Sequence, residues 1–418
     1  MHSHHISLEK TGQFSKLFLD YVNQDKKLNS FYNYSPSVDS FSQAIKDISS
    51  KKFKRKLLVE VLQEQYASIN HQPSTINQLL DENSFTVCTG HQLCLFTGPL
   101  YFIYKIISTL NLAEELKKKY PANNFIPLFW MNGEDHDFAE VNHINLFGKK
   151  IEWKRKSGGA VGKFSTAGIA ETISELKLVL GDSEHATELI SLFENAYVNH
   201  SDYASATRYL VHELFGKYGL VILDADYKRL KNEFKEIISD DIFNHTNFNF
   251  VNETIAQLKN NGYEAQVIPK EINFFLLSKK FRGWIDAARV QSEPEEWKKK
   301  LVEEAERFSP NVVTRSLYQQ KILPNLAYVG GPAEISYWLE YKAMFDHHKI
   351  FFPVLMPRNF VHIDNEQKSE TEIFKEELQE RHDNFIPFYL KYGKNFFDEL
   401  KHNLNPFDFR FIILSEKE

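Results

Sequence analysis

Residues 85–137 constrain the fold of this chain more than any other segment. Two short apolar runs, 85–88 and 125–130, flank a stretch with the three- and four-residue apolar spacing of an amphipathic helix, over about 100–119. Strand, helix and strand in this order predict one right-handed βαβ crossover with parallel strands. Polar residues follow both strands, at the edge where open parallel sheets bind their ligands.

The remaining sequence alternates between helical and strand-like segments around this unit, with no internal repeat. We therefore predict an α/β fold: a Rossmann-like core with a parallel sheet, a helical N-terminal region and inserted connecting segments. The predicted divisions are a helical region packed on the core (1–83), the first half of the core (84–142), an inserted connecting segment (143–218), the second half of the core (219–364) with a further insertion near 263–308, and a short linker with a C-terminal tail (365–418).

Composition excludes several classes of protein. Of the 418 residues, 42% are hydrophobic and 25% are charged, as in ordinary globular proteins. A net charge of -6 gives no basic footprint for nucleic acid, and no apolar run approaches the ~20 residues of a membrane helix. The two cysteines, Cys88 and Cys94, indicate a reducing compartment and hence a cytoplasmic location, and their apolar neighbours favour packing over reactivity.

The second strand of the βαβ unit ends in four adjacent titratable residues, Glu134, Asp135, His136 and Asp137. Neighbouring charges shift one another's pKa values, as acid–base catalysis requires. One carboxylate could deprotonate an attacking amine while the imidazole handles a second proton. These side chains can also bind Mg²⁺ or Zn²⁺, but no CxxC or HExxH spacing is present, and we predict no metal site. The alternative is an exposed acidic turn that caps the next helix.

Further polar residues follow predicted strands and are candidates for binding substrate or nucleotide. Turns between a strand and a helix can direct backbone N–H groups at an anion, and glycine permits close approach. The alternative is a set of ordinary capped helices, because the sequence contains neither a Walker P-loop nor a GxGxxG motif. The candidates are Thr89, Gly90, His91, Gln92, Thr97, Gly98, Asp224, Asp226, Gly330, Gly331, Glu334 and Arg358.

Several of these segments resemble one known family. "TGHQLCLFTGPLYFIYKIISTL" followed by "PLFWMNGEDHDFAEVNHI" is similar to the signature of BshC, the cysteine-adding enzyme family of bacillithiol biosynthesis. "GLVILDAD", "YVGGPAEISYW", "FPVLMPR" and "LQERHDNFIPFYLKYG" match in the same order, so the resemblance covers nearly the whole chain. The family carries a long helical coiled-coil insertion before the last of these segments, where this chain has only about 365–377.

The resemblance implies a ligase that joins L-cysteine to glucosaminyl malate to give bacillithiol. ATP, with Mg²⁺ as a candidate companion, is the expected activator of the carboxyl group, although no sequence fingerprint shows either. Two alternatives from other classes are a metal-dependent hydrolase acting on an amino-sugar amide and a relative that binds a ligand without turnover. The implied partners are small molecules, with no nucleic acid and no membrane. With its coiled-coil insertion shortened, the chain is expected to be a monomer or a weak homodimer.

Overall fold

The protein is described by a computed structural model that covers residues 1–67, 69, 72–156, 158–364, 369–370, 372–374 and 384–415. The N-terminal region is helical, as predicted, except for its first strand. Its elements are β1 (His2–Ile6), α1 (Leu8–Thr11), α2 (Lys16–Val22), α3 (Ser40–Ser49), α4 (Arg55–Gln65) and α5 (Thr75–Gln78). The prediction missed β1 because the partner of this strand lies some 400 residues away in the sequence.

The first half of the core has the predicted strand, helix and strand, and a hairpin and three helices then form the connecting segment. The elements are β2 (Ser84–His91), α6 (Leu100–Lys119), β3 (Asn124–Met131), α7 (Phe138–Val141), β4 (His143–Leu146), β5 (Lys149–Glu152), α8 (Ile169–Leu180), α9 (Glu184–Tyr197) and α10 (Tyr203–Phe215).

The second half of the core begins with a buried strand and contains an insertion of helices around a small antiparallel sheet. Its elements are β6 (Val221–Asp224), α11 (Lys228–Asn232), α12 (Lys235–Asn244), α13 (Thr246–Asn260), β7 (Phe274–Leu277), β8 (Arg282–Trp284), α14 (Ala287–Ser292), α15 (Pro294–Glu303), β9 (Phe308–Pro310), α16 (Val312–Ile322), β10 (Asn325–Gly330), α17 (Pro332–Leu339), α18 (Lys342–His348), β11 (Val354–Pro357) and β12 (Phe360–Asp364). The tail contributes α19 (Ile386–Tyr392), α20 (Asn395–Asn403) and β13 (Phe411–Ser415).

Five parallel strands form the central sheet, in the order β11-β10-β2-β3-β6. The chain moves outward from β2 through β3 to β6, then returns to the other side of β2 with β10 and β11. This is a Rossmann-type order whose direction reverses between β2 and β10, and ligands of open α/β sheets bind outside the carboxyl ends at such a point. His91, Met131 and Asp224 end their strands in register, so the polar turns that follow share one edge.

Helix α6 lies against β2 and β3 and is buried along most of its length. Its other side is covered by the tail, because α20 packs on it and Asn111 Nδ2 donates to the carbonyl oxygens of Lys401 and Leu404, at 2.9 and 2.6 Å. Burial on two sides explains why residues 100–113 contain only one charged side chain, Lys105. The aromatic side chains of Phe388, Tyr389, Phe396 and Phe397 in the tail are buried in the main hydrophobic cluster.

A second sheet joins the two ends of the described chain. Strand β13 pairs antiparallel with β1 and parallel with β12, so that His2 lies opposite Ser415 and Phe360 opposite Phe411. The predicted shortening of the coiled coil at 365–377 falls largely outside the described residues. Within the described ranges, no helix combines the length and the apolar character of a membrane span.

Replacing Gly98 by alanine is expected to destabilise the protein by about 2 kcal/mol more than the same change at Gly148. Gly98 has φ 66° and ψ -134°, and a Cβ there would lie 2.4 Å from the Cβ of Cys94. Backbone strain costs about 1–3 kcal/mol, and overpacking adds a further ~1–3 kcal/mol. Gly148 has φ 73° but no atom within 4 Å of the added Cβ. Urea unfolding of both variants makes the comparison, and equal losses would contradict the packing argument.

Candidate active site

Two adjoining cavities open at the carboxyl edge of the central sheet, and Glu334 lines both. The first, here called the Glu134 cavity, has a volume of about 450 Å³, and the second, the Arg358 cavity, about 530 Å³. Charged residues of the first are Glu134, Asp135, Asp226, Lys270, Arg282, Arg315 and Glu334. The second has fewer charged residues, and Lys105, Gly331, Glu334, Arg358 and His362 are among those that line it.

Glu134 is the most deeply placed member of the acidic turn. Its Oε2 accepts a hydrogen bond of 2.6 Å from Ser309 Oγ, and its Oε1 contacts the ammonium group of Lys231. The same ammonium lies 2.9 Å from a carboxylate oxygen of Asp226. Burial, together with the charge of Asp226, raises the pKa of Glu134 to about 7, whereas Lys231 and Lys163 outweigh burial and hold the pKa of Asp226 below its ordinary value. Glu134 is thus a buried carboxyl group that is protonated more readily than an ordinary glutamate.

Asp135 lies nearer the surface and is held by side chains from two other segments. Gln92 Nε2 donates to its Oδ2 at 2.8 Å, and Arg282 Nη1 lies 3.8 Å from its Oδ1. The guanidinium of Arg282 also lies 3.3 Å from Nδ1 of His136 and stacks over the ring of Phe275, at 3.9 Å. Gln92 and Arg282 therefore fix the direction in which the Asp135 carboxylate faces the cavity.

The other two members of the acidic turn are exposed. His136 lies beside the ring of Phe275, 5.7 Å between centroids, and keeps about half of its side-chain surface accessible. Asp137 precedes α7 but makes no side-chain cap hydrogen bond, and its backbone N–H donates to Asp135 Oδ1 at 3.4 Å. Neither residue lines the Glu134 cavity. The structure thus brings Glu134 and Asp135 to the cavity and leaves His136 and Asp137 at its rim.

The turn after β2 contacts the acidic turn through only one of its candidate residues, Gln92. Thr89 Oγ1 donates to the carbonyl of Val329 at 2.8 Å and so joins β2 to β10. His91 packs beside the rings of Tyr101 and Phe102, and burial lowers its pKa to about 4.

Three more candidates in this segment, Gly90, Thr97 and Gly98, belong to the local packing. The carbonyl of Gly90 accepts a hydrogen bond from Lys105 Nζ at 2.5 Å. Thr97 is buried with φ 70°, and Gly98 packs against Cys94. Neither Thr97 nor Gly98 lines either cavity, and their part in binding stays a prediction.

The "DAD" turn after β6 separates its two aspartates. Asp224 is buried, and its Oδ1 accepts a hydrogen bond of 3.0 Å from the N–H of Asp226. Burial and the neighbouring Asp226 charge raise the pKa of Asp224. Asp226 lines the Glu134 cavity, with Lys231 on one side and Lys163, at 3.2 Å, on the other. Asp224 therefore stabilises the turn, and the charged carboxylate of Asp226 lines the cavity.

The Gly330-Gly331 turn holds a buried ion pair at the reversal point of the sheet. Glu334 Oε2 lies 2.6 Å from Lys105 Nζ and accepts a hydrogen bond of 2.8 Å from the N–H of Gly331. Its Oε1 accepts one of 2.6 Å from the hydroxyl of Tyr328. Burial opposes the charge, but Lys105 outweighs it and lowers the pKa of Glu334 to about 2. A Cβ on Gly330 would lie 3.1 Å from Glu334 Cβ, so the turn leaves little room for a larger residue.

Arg358 lies across the second cavity from this ion pair. Its backbone N–H donates to the carbonyl of Gly330 at 2.9 Å, and its guanidinium lies 4.8 Å from the ring of Phe360 and 5.6 Å from that of Tyr101. A planar, always-charged group on an aromatic support is suited to bind a carboxylate or a phosphate.

Five residues that complete the site were not among the sequence candidates: Lys105, Lys231, Arg282, Ser309 and Arg315. Lys105 had a visible signal, as the only charged residue in an apolar stretch of α6. The others lie on α11, β8, β9 and α16, and their sequence context resembles that of any amphipathic segment. The positive charges of the two lysines and two arginines offset the carboxylates of the crevice.

The thiols take no part in this arrangement. Cys88 and Cys94 are free and buried, and burial raises the pKa of both thiols, that of Cys94 to about 12. His91 Nδ1 lies 3.7 Å from Cys94 Sγ, but its own lowered pKa leaves the imidazole without a charge to stabilise a thiolate. The prediction that both cysteines pack rather than react agrees with this geometry.

Comparison with known proteins identifies the family. Residues 1–359 match the family model described as "Bacillithiol biosynthesis BshC, N-terminal Rossmann-like domain". The chain belongs to the BshC family. Residues 358–416 match the companion model, "Bacillithiol biosynthesis BshC, C-terminal coiled-coil domain". The family description agrees with the fold, because the parallel sheet has the Rossmann-type order.

Several curated BshC proteins are similar over most of this chain. The chain is 44% identical over 380 residues to one from Flavobacterium psychrophilum, with 87% of the chain and 71% of the relative covered. It is 42% identical over 394 residues to one from Christiangramia forsetii, covering 90% and 73%, and 31% identical over 376 residues to one from Bacillus cytotoxicus, covering 81% and 67%. Each of these relatives carries the name "Putative cysteine ligase BshC".

Proposed function

We propose that this BshC-family chain is a ligase that joins the carboxyl group of L-cysteine to the amino group of glucosaminyl malate, forming bacillithiol in the last step of its biosynthesis. The observation that carries the proposal is the pair of adjoining cavities at the reversal point of a Rossmann-type sheet. One contains a carboxyl group with a pKa near 7, and the other contains Arg358 and Lys105. The names of the relatives supply the reaction class.

The charges of the two cavities suit the two ends of glucosaminyl malate. The malate carboxylates would bind beside Arg358 in the second cavity, where aromatic side chains support the guanidinium. The amino group would then face Glu134 and Asp135 in the first cavity. A carboxylate there orients the amine and accepts the proton that it loses on attack, while Arg282 and Arg315 neutralise negative charge that develops nearby.

A free carboxylate does not form an amide in water without activation, so the proposal includes ATP as the activator. Attack of the cysteine carboxylate on the α-phosphorus would release pyrophosphate, and attack on the γ-phosphorus would release ADP. The amine would then displace AMP or phosphate from the acyl group. Mg²⁺ would accompany the nucleotide, and the guanidinium groups of Arg282 and Arg315, which line the first cavity, offer anion donors without a P-loop.

The test incubates the purified chain with L-cysteine, glucosaminyl malate, ATP and Mg²⁺ and detects bacillithiol by mass spectrometry. We expect product only when all components are present, with AMP or ADP formed in equal amount. Omission of ATP, and its replacement by other nucleotides, tests the activator separately. Release of free amino sugar from an amide substrate, with no ligation, would instead support a hydrolase. Binding of glucosaminyl malate with neither reaction would support a ligand-binding relative.

The chain is expected to be a monomer, or to dimerise only weakly, at micromolar concentration. The tail is already docked on the core through α20, and the segment at 365–377 is too short for the three or four heptads of a stable coiled coil. Multi-angle light scattering measures the mass directly, and 48.9 kDa is the value for one chain. A tight dimer would place the interface on another surface. The proposal also includes a cytoplasmic location, in keeping with two free thiols.

A further inference from the structure

A cluster of metal-binding side chains lies outside both cavities, where α12 meets α18. It consists of Asp240 on α12 and of His347 and His348 at the end of α18. One ligand atom from each residue lies within 4.8 Å of the other two. In the part of the chain that the structure describes, no other three His, Cys, Asp or Glu side chains are placed to hold a metal ion. None of them lines the Glu134 cavity or the Arg358 cavity.

The carboxylate of Asp240 is oriented toward the two imidazoles. Asn244 Nδ2, one turn along α12, donates to Asp240 Oδ1 at 2.8 Å. The other oxygen, Oδ2, lies 3.9 Å from His347 Nε2. His347 is in turn stacked on Phe250 of α13, with 4.5 Å between ring centroids. One carboxylate oxygen is thus fixed by the protein, and the other faces the space between the helices.

A chain of buried hydrogen bonds sets the tautomer of His348. Asn247 Nδ2 donates to Asp241 Oδ1 at 2.9 Å, and both residues are fully buried, so the Asn247 amide has a defined orientation. Its Oδ1 then accepts the hydrogen bond of 2.8 Å from His348 Nε2. With the hydrogen on Nε2, the lone pair lies on Nδ1. Metal-binding histidines commonly have this arrangement, in which a protein oxygen accepts from the other ring nitrogen.

We propose that Asp240, His347 and His348 bind one divalent transition-metal ion, Zn²⁺ being the natural test ion, which joins the inserted helix α12 to core helix α18. Two imidazoles and a carboxylate suit Zn²⁺ or Co²⁺ rather than Mg²⁺ or Ca²⁺, which prefer oxygen ligands. Tetrahedral bonds of about 2.0–2.1 Å separate two ligand atoms by about 3.3 Å. The 3.9 Å pair therefore closes by about 0.6 Å, and a pair at the 4.8 Å limit of the cluster would close by about 1.5 Å. Water completes the coordination.

Calorimetric titration of the metal-free, full-length chain with Zn²⁺ tests the proposal. We expect one site per chain that is weakened at least tenfold by Asp240→Ala and by His348→Ala, and about tenfold by Asn244→Ala, which removes only the supporting hydrogen bond. The matched control is Asp346→Ala. This exposed aspartate is on α18, the helix of His347 and His348, but its carboxylate pairs with Lys342. Its affinity should stay within twofold of the parent chain. A His4→Ala background removes an exposed N-terminal histidine as a competing ligand.

Two further measurements keep the result interpretable if a variant is less stable. Co²⁺ should give visible absorption bands in the parent chain that are lost in Asp240→Ala. Zn²⁺ should raise the Tm of the parent chain and of Asp346→Ala but not that of Asp240→Ala. An absent stoichiometric site, or equal affinities in the Asp240→Ala and Asp346→Ala variants, would overturn the proposal and leave the cluster as a surface ion pair beside a helix end.

Discussion

Replacing Asp135 by asparagine is expected to slow bacillithiol formation by about 10²–10⁴-fold, because loss of a general acid or base usually costs this much. The asparagine side chain can still accept the hydrogen bond from Gln92 Nε2, but it cannot take a proton from the attacking amine. The side chain is partly exposed, so the free energy of unfolding should change by no more than roughly 1 kcal/mol. Product measured by mass spectrometry, with circular dichroism on the same sample, checks both statements.

Two variants at other acidic residues make the result of this experiment specific to the site. Asp182→Asn, an exposed aspartate in the loop before α9, is the matched control and should turn over normally. Glu134→Gln tests the deeper carboxyl group, whose pKa near 7 also suits proton transfer. Normal turnover in Asp135→Asn with an inactive Glu134→Gln would assign the base to Glu134. Normal turnover in both would return the acidic turn to a structural role.

Replacing Lys105 by methionine is expected to destabilise the protein by about 3–5 kcal/mol, because it leaves the carboxylate of Glu334 buried without its cation. Lys105 is 4% exposed, and its ammonium group contacts both Glu334 and the carbonyl of Gly90. The double variant Lys105→Met/Glu334→Gln should recover part of the loss, since it buries no unpaired charge. Lys118→Met is the control, because Lys118 is an exposed residue of the same helix. Urea unfolding at neutral pH gives all four free energies of unfolding.

The pH dependence of this loss has a defined sign. The folded-state pKa of Glu334 is about 2, below the 4.5 of an ordinary glutamate. Stability from its ionised form is therefore fully present above about pH 4.5 and is lost as the pH falls toward 2. The difference between the parent chain and Lys105→Met should shrink over the same range. A difference that stays constant down to pH 2 would mean that Lys105 contributes through packing and not through charge.

The core and half of the crevice could be predicted because the information is local. A strand, a helix and a strand close together in the sequence determine a parallel pair, and the carboxyl ends of parallel strands share one edge. Glu134, Asp135, Asp226, Glu334 and Arg358 each follow directly after a core strand, so their convergence follows from the fold class.

The cations of the crevice could not be predicted in the same way. Lys231, Arg282 and Arg315 lie on α11, β8 and α16, and their positions depend on how the insertions fold back over the sheet edge. That packing is determined by contacts distant in sequence, which no local pattern records. Strand β1 was missed for the same reason. Conversely, Asp224 ends a predicted strand but serves the backbone, because a polar residue in a turn can satisfy its neighbours as well as a ligand.

The pairing of β1 with β13 has a consequence during synthesis of the protein. His2 is synthesised 413 residues before its partner Ser415. With translation at roughly 5–20 residues per second, about 20–80 s pass between the synthesis of β1 and that of β13. During this time the exposed histidines of β1 keep the unpaired strand polar, which limits its pairing with other nascent chains. The β12–β13–β1 sheet can therefore close only after all strands of the Rossmann-type core have been synthesised.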